Sequence, residues 1–108
     1  MRRGDLITVA VNGDYGKPRP AFVIQSDFLA ETDSVLVCLL TATLRDAPLY
    51  RLALPAGGGT GPREPSQVMV DKIMAVRRDR CGAPIGHADG AALLALSRLL
   101  AFVTGIAD

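Results

Sequence analysis

The sequence has no tryptophan, one histidine and two cysteines, and only 5% of its residues are aromatic. Two cysteines are too few for a disulfide framework or a four-ligand zinc site. Cys38 lies inside the apolar run Val35-Leu36-Val37-Cys38-Leu39-Leu40 and reads as a small buried hydrophobe. With His87 alone, a two-histidine ribonuclease mechanism and a metal site needing two imidazoles are both excluded. A Ser-His-Asp triad remains possible by count. No carboxylates cluster at ligand-like spacing, so neither a metal nor another cofactor is expected. Excess charge is also lacking: 12 Lys and Arg against 11 Asp and Glu leave a net charge of +1. Nucleic-acid binding would therefore need a local patch. No apolar run is long enough to span a bilayer. The N-terminus turns polar at once and lacks the apolar stretch of a signal peptide, so the cytoplasm is the expected compartment.

What is present is an ordinary globular balance of 49% hydrophobic and 21% charged residues over 108 positions. That excludes disorder and fits one domain, residues 1–108. Asp5–Val11 is rich in Ile, Thr and Val and predicts a strand. Asn12-Gly13 begins a turn, and Pro20–Gln25 predicts a second strand with proline at its tolerated first position. Residues 27–33 form a connection with one helical turn. Ser34–Thr41 is the most apolar strand and is expected at the centre. Leu49–Leu54 and Gln67–Val76 predict further strands, Arg77–Arg80 a solvated charged turn, and Pro84–Gly86 a last short strand. Asp89 is a good N-cap for a helix reaching Val103, with Gly105 as its C-cap. The sum is an antiparallel-leaning sheet of five or six strands closed by one C-terminal helix. Between Ala91 and Val103 only Ser97 and Arg98 are polar. A helix apolar nearly all round is buried on more than one side, which predicts a homodimer. The alternative is a bland exposed face of Ala91, Ala95 and Ala101.

Three segments carry possible chemistry. The glycine run Gly57–Gly61 lacks the following Gly-Lys-Ser/Thr of a phosphate loop and reads as a connection. Arg19 is flanked by Pro18 and Pro20, so its backbone is pre-set, and a guanidinium held this way can clamp a phosphate. Thr41 and Thr43 are expected to point the same way by strand alternation, with Arg45 nearby. Their hydroxyls can donate to phosphate oxygens.

In order along the chain come Arg3-Gly4-Asp5, Arg19-Pro20-Ala21-Phe22-Val23-Ile24-Gln25, Leu40-Thr41-Ala42-Thr43, Pro65-Ser66-Gln67-Val68-Met69-Val70-Asp71-Lys72-Ile73, and Ile85-Gly86 before the helix. This succession resembles the MazF/PemK/Kid toxins of type II toxin–antitoxin systems and covers nearly the whole chain. The resemblance implies a mainly β fold with a C-terminal α-helix, a compact, strongly curved antiparallel sheet of the SH3-like barrel type seen in CcdB and PemK, with short helices. It implies a homodimeric endoribonuclease, an mRNA interferase that cuts single-stranded mRNA without a metal and is neutralised by a MazE-like antitoxin. The family's catalytic arginine falls on Arg19 and its threonine on Thr41. Asp14 becomes the candidate base. Tyr15, Lys17, Thr43, Arg45, Asp71 and Lys72 become candidate RNA contacts, with Tyr15 stacking on a base. Two departures stand out. Kid-like members carry an arginine where this chain has Met69, and the polar residue usual in the first loop is replaced by Asp14 and Tyr15. The alternative is a non-catalytic, CcdB-like poison of DNA gyrase. The ending Phe102-Val103-Thr104-Gly105-Ile106 loosely resembles CcdB, with Thr104 where that toxin has tryptophan.

Overall fold

A computed structural model describes residues 1–11, 17–57 and 61–108. Six strands form one antiparallel sheet: β1 (Asp5–Ala10), β2 (Pro18–Val23), β3 (Ser34–Thr41), β4 (Arg51–Leu54), β5 (Ser66–Arg77) and β6 (Gly86–His87). Their order across the sheet is β4-β5-β3-β2-β1-β6, which places β3 in the interior as its apolar sequence requires. A 3₁₀ helix at Arg78–Arg80 follows β5, and the chain ends in α1 (Gly90–Val103). Among the described residues no helix is long and apolar enough to cross a membrane.

Alternation along the strands builds a core on each face. Leu6 and Phe22 are register partners and belong to one cluster with Cys38, Leu40, Val68 and Val70. Their neighbours Ile7 and Ala21 are also partners and belong to the other, with Val9, Val23, Val35, Val37 and Val76. Helix α1 covers the first cluster by inserting Leu96, which is fully buried. Removing a side chain so placed costs about 2–5 kcal/mol.

The sheet curls where β5 breaks register. Leu40 lies opposite Val68, but Cys38 lies opposite Ile73, so residues 69–72 of β5 face Leu39 alone. Extra residues on one strand bend it and increase its twist. The first part of β5 consequently also pairs with β4, while its later part follows β3 back to Ser34.

Several element boundaries differ from the expectation. Strand β2 starts at Pro18, so Arg19 and both prolines lie inside the strand, opposite Val9, Ala10 and Thr8. Strand β4 starts at Arg51, because the Tyr50 and Arg51 amides close a turn on the Ala47 carbonyl. The connection 27–33 holds turns and no helical turn. Arg77 still belongs to β5. The helix is capped as read: Asp89 Oδ1 accepts from Ala92 N–H at 2.8 Å. Thr104 is the C-cap, and Gly105 follows it at φ +81°, where glycine is favoured. The exposed face of α1 is not bland. Ala95 packs on the core, whereas Leu94 and Phe102 are half exposed and Ile106 is 81% exposed. The Asn12-Gly13 turn and positions 58–60 of the glycine run lie outside the described residues.

Candidate active site

The two residues that carry the strongest motifs lie at the adjacent ends of β2 and β3. Arg19 pairs with Val9 and Thr41 pairs with Gln67. The last pair joining β2 to β3 is Ala21 with Leu39. Arg19 and Thr41 each lie two residues beyond that pair, at the adjacent ends of the two strands. Partners and alternate residues share a face, so Arg19, Thr41 and Gln67 share the face of Val9, Ala21 and Val37. They stand at its open end, with Arg19 exposed and Thr41 half-buried.

The prolines explain why the sheet opens there. Ile24 N–H donates to the Leu36 carbonyl at 3.0 Å, so by alternation the even-numbered amides of β2 face β3. Pro20 has no N–H to offer, and the ladder between β2 and β3 stops beside it. The ends of the two strands are left unzipped with Arg19 on one and Thr41 on the other.

Strand β3 ends at Thr41, so Thr43 is outside it and alternation does not orient the Thr43 side chain. Instead Thr43 N–H donates to Thr41 Oγ1 at 3.1 Å. That bond uses a lone pair of the hydroxyl and leaves its proton to donate elsewhere. The following segment is held by Gln67. Its Oε1 accepts from Arg45 N–H at 3.0 Å, and its Nε2 donates to the Arg45 carbonyl at 2.8 Å. The side chains of Thr43 and Arg45 are exposed beside it. Behind Gln67 lies Arg51, which donates to Gln67 Oε1 at 3.1 Å and to the Thr43 carbonyl at 3.4 Å.

The other expected residues are placed less tightly. Lys17 is exposed immediately before β2. Asp71 and Lys72 are exposed at the register break of β5, outside the row formed by Arg19, Thr41 and Gln67. Burial pushes the Cys38 thiol up to about 12, and the Asp71 carboxylate adds to that shift. Asp14 and Tyr15 lie outside the described residues. His87 is elsewhere: it pairs with Asp5, four residues before Val9 on β1, which is about 13 Å at the rise of a strand. Among the described residues no three His, Cys, Asp or Glu side chains gather as a metal site would require.

Two residues at this site were not singled out by the sequence. Gln67 was visible only as a polar position in an alternating strand. Arg51 left a clearer mark, as a lone cation in the apolar stretch LYRLAL. Arg77-Arg78-Asp79-Arg80 was read as solvated, and only part of it is. Arg77 pairs with Asp79 at 2.5 Å in solvent. Arg78 is half-buried and donates to the Thr32 carbonyl and, at 3.2 Å, to that of Leu29.

The arrangement puts Arg19 and Thr41 at the open ends of neighbouring strands, with the backbone of Arg45 held by Gln67, and a guanidinium and a hydroxyl so placed suit a phosphodiester. The sheet, half-barrel curl and terminal helix are those of a known class of small toxins. An endoribonuclease in complex with its cognate antitoxin from a Mycobacterial species superposes with a TM-score of 0.81 at 20% identity, covering 98% of this chain and 96% of that one. The Mycobacterium tuberculosis toxin MazF-mt6 superposes with a TM-score of 0.78 at 19% identity, covering 94% and 96%. In sequence, the Mycolicibacterium smegmatis protein named "Probable endoribonuclease MazF" is 38% identical over 108 residues, 99% of each chain. Residues 2–104 match the family of PemK-like, MazF-like toxins of type II toxin–antitoxin systems, and the chain belongs to that family.

Proposed function

We propose that this chain cuts single-stranded RNA, mRNA in particular, at the gap between Arg19 and Thr41. Its enzyme class is endoribonuclease, as for its relative from Mycolicibacterium smegmatis. The observation that carries the site assignment is that Arg19 and Thr41 each lie two residues beyond the last pair, Ala21 with Leu39, at the adjacent ends of β2 and β3. Cleavage without a metal requires three things. The 2′-OH must lose its proton, the pentavalent phosphorane must be stabilised, and the 5′-oxygen must gain a proton. The Arg19 guanidinium and the Thr41 hydroxyl are donors preset for the phosphorane charge. Lys17, Thr43 and Arg45 hold the flanking phosphates, and Asp71 and Lys72 extend the contact along β5. Asp14 takes the 2′-OH proton, and Tyr15 stacks on a base. The products are a 2′,3′-cyclic phosphate and a 5′-hydroxyl.

The chain acts as a homodimer joined through the exposed apolar stripe of α1. Its natural inhibitor is a MazE-like antitoxin, a reading supported by the antitoxin-bound neighbour of the same fold. The gyrase-poisoning alternative is set aside, because the family match is to PemK-like, MazF-like toxins.

The test is cleavage of a mixed-sequence RNA by the purified chain in EDTA, with the new 5′ ends mapped and their chemistry determined. Cuts at recurring short sequences bearing 5′-hydroxyls support the reading. Loss of activity in EDTA with rescue by magnesium overturns the metal-free mechanism, and an intact RNA overturns the nuclease assignment.

A further inference from the structure

We propose that Arg51 is a positioning residue for this reaction, a buried guanidinium that sets the segment Thr41–Arg45 against the scissile phosphate. The inference rests on the nuclease reading of the site.

Arg51 opens β4 opposite Met69 and is only 8% exposed. A charge so deeply placed is ordinarily paired with a carboxylate. Among the described residues Arg51 has only neutral acceptors, the Thr43 carbonyl and Gln67 Oε1. Its Nε is buried and makes no hydrogen bond. Buried polar atoms are rarely left so, and an exception calls for a reason.

Both acceptors belong to the candidate site. The Thr43 carbonyl is part of the turn closed by Thr43 N–H on Thr41 Oγ1. Gln67 is the register partner of Thr41 and holds Arg45 by both backbone groups. The guanidinium acts on this device through the carboxamide. A cation that donates to one end of an amide requires oxygen at that end. Arg51 therefore fixes Gln67 with Oε1 toward itself and toward Arg45 N–H, and Nε2 toward the Arg45 carbonyl. One side chain thus sets a carbonyl at 43, both backbone groups of residue 45 and, through the turn at 43, the hydroxyl at 41.

A residue serving only the fold behaves differently from one serving the site. Arg51→Met keeps the length of the stem and removes a charge that no described carboxylate neutralises, so the melting temperature should stay level or rise. Cleavage should nevertheless fall, because small misplacements of reacting groups are costly. We expect kcat on a single-stranded RNA substrate to drop by about tenfold to 100-fold. KM should change by much less than kcat, since Lys17 lies outside this device and the Arg45 charge, though less firmly placed, remains. Arg51→Lys keeps the charge but cannot reach both acceptors in the fixed fork, so kcat should remain near the Met value. Hydrogen exchange at the Arg45 amide should quicken by about tenfold or more in both variants, with the β1 and β2 amides unchanged.

Failure of Arg51→Met to fold, or a kcat loss that merely follows a falling melting temperature, makes Arg51 structural and overturns the proposal. Full activity in Arg51→Lys overturns it as well, because charge and not placement would then be the cause. An active wild-type chain with an equally active Arg51→Met sinks this inference alone. An inactive wild-type chain sinks the nuclease reading, and the Arg45 amide then still decides whether Arg51 anchors the segment.

Discussion

Asp5 and His87, 82 positions apart in the chain, are joined by a 2.6 Å hydrogen bond between Asp5 Oδ1 and His87 Nδ1. The other carboxylate oxygen of Asp5 accepts from Arg2 N–H at 2.7 Å. Burial of Asp5 pushes its carboxyl up, but the Arg2 amide and His87 more than offset that and hold it below the ordinary 3.8. A group whose folded pKa is depressed contributes stability above its unfolded value and loses it as pH falls through the folded one. The contribution of Asp5 is therefore complete above about pH 4 and disappears in stronger acid. Asp5→Asn should cost about 1–3 kcal/mol near pH 6, with the difference from wild type shrinking below pH 4. Thermal melts across that range check it. A constant offset at every pH refutes the carboxylate argument.

Arg19→Ala should fold and dimerise yet cut RNA about 100- to 1000-fold more slowly, the usual cost of losing a preorganised donor to a developing oxyanion. Binding of an uncleavable 2′-deoxy substrate should fall much less, because Lys17 and Arg45 remain. Lysine at position 19 should rescue poorly, since an ammonium does not reproduce the planar fork. Thr41→Val deletes the hydroxyl and keeps the β-branched shape. It should slow cleavage and also release the Thr43 amide. Single-turnover rates with matched binding measurements decide both, and full activity in a folded Arg19→Ala removes it from the mechanism.

Leu94, Phe102 and Ile106 make the terminal helix and its tail the place to test assembly. Light scattering should return about twice the chain mass for the wild type, as for a two-fold dimer. Phe102→Glu should shift it toward the monomer without loss of helix signal. A wild-type monomer at micromolar concentration refutes the use assigned to this stripe.

The two neighbouring arginines at the end of β5 should separate cleanly. Arg77→Ala removes a solvent-exposed pair with Asp79 and should change stability by less than about 1 kcal/mol. Arg78→Ala frees two carbonyls of the 29–32 loop and should cost about 1–3 kcal/mol, with faster amide exchange across residues 26–33. Neither should change cleavage by more than about tenfold, as befits charges outside the site. Equal melting temperatures for the two variants contradict the buried role of Arg78.

The strands and the helix were legible because period-two alternation and an Asp89 cap are local signals. The β2 boundary was misjudged because Pro18 was taken as preceding the strand. A proline can instead occupy a position whose amide has no ladder partner. The register break in β5 was not legible, since nothing in Met69–Lys72 marks four residues as facing one. Of the candidate site, only part was legible. Arg19 and Thr41 carry motif signals, whereas their supports depend on tertiary placement. Gln67 looked like any polar strand residue until its carboxamide met Arg45. Arg78 was taken for a solvated charge because its acceptors are backbone carbonyls more than 40 residues away.

Strand β1 is an interior strand whose outer neighbour, β6, comes later in the chain than every other strand described. A nascent chain ending at Arg80 has β1 with an open edge, Asp5 without its imidazole, and the first core without Leu96. Pairings this distant in sequence form late, because the loop they close must be ordered first. The outer edge of β1, the imidazole partner of Asp5 and the first core are therefore completed together, once residues 86–96 are in place.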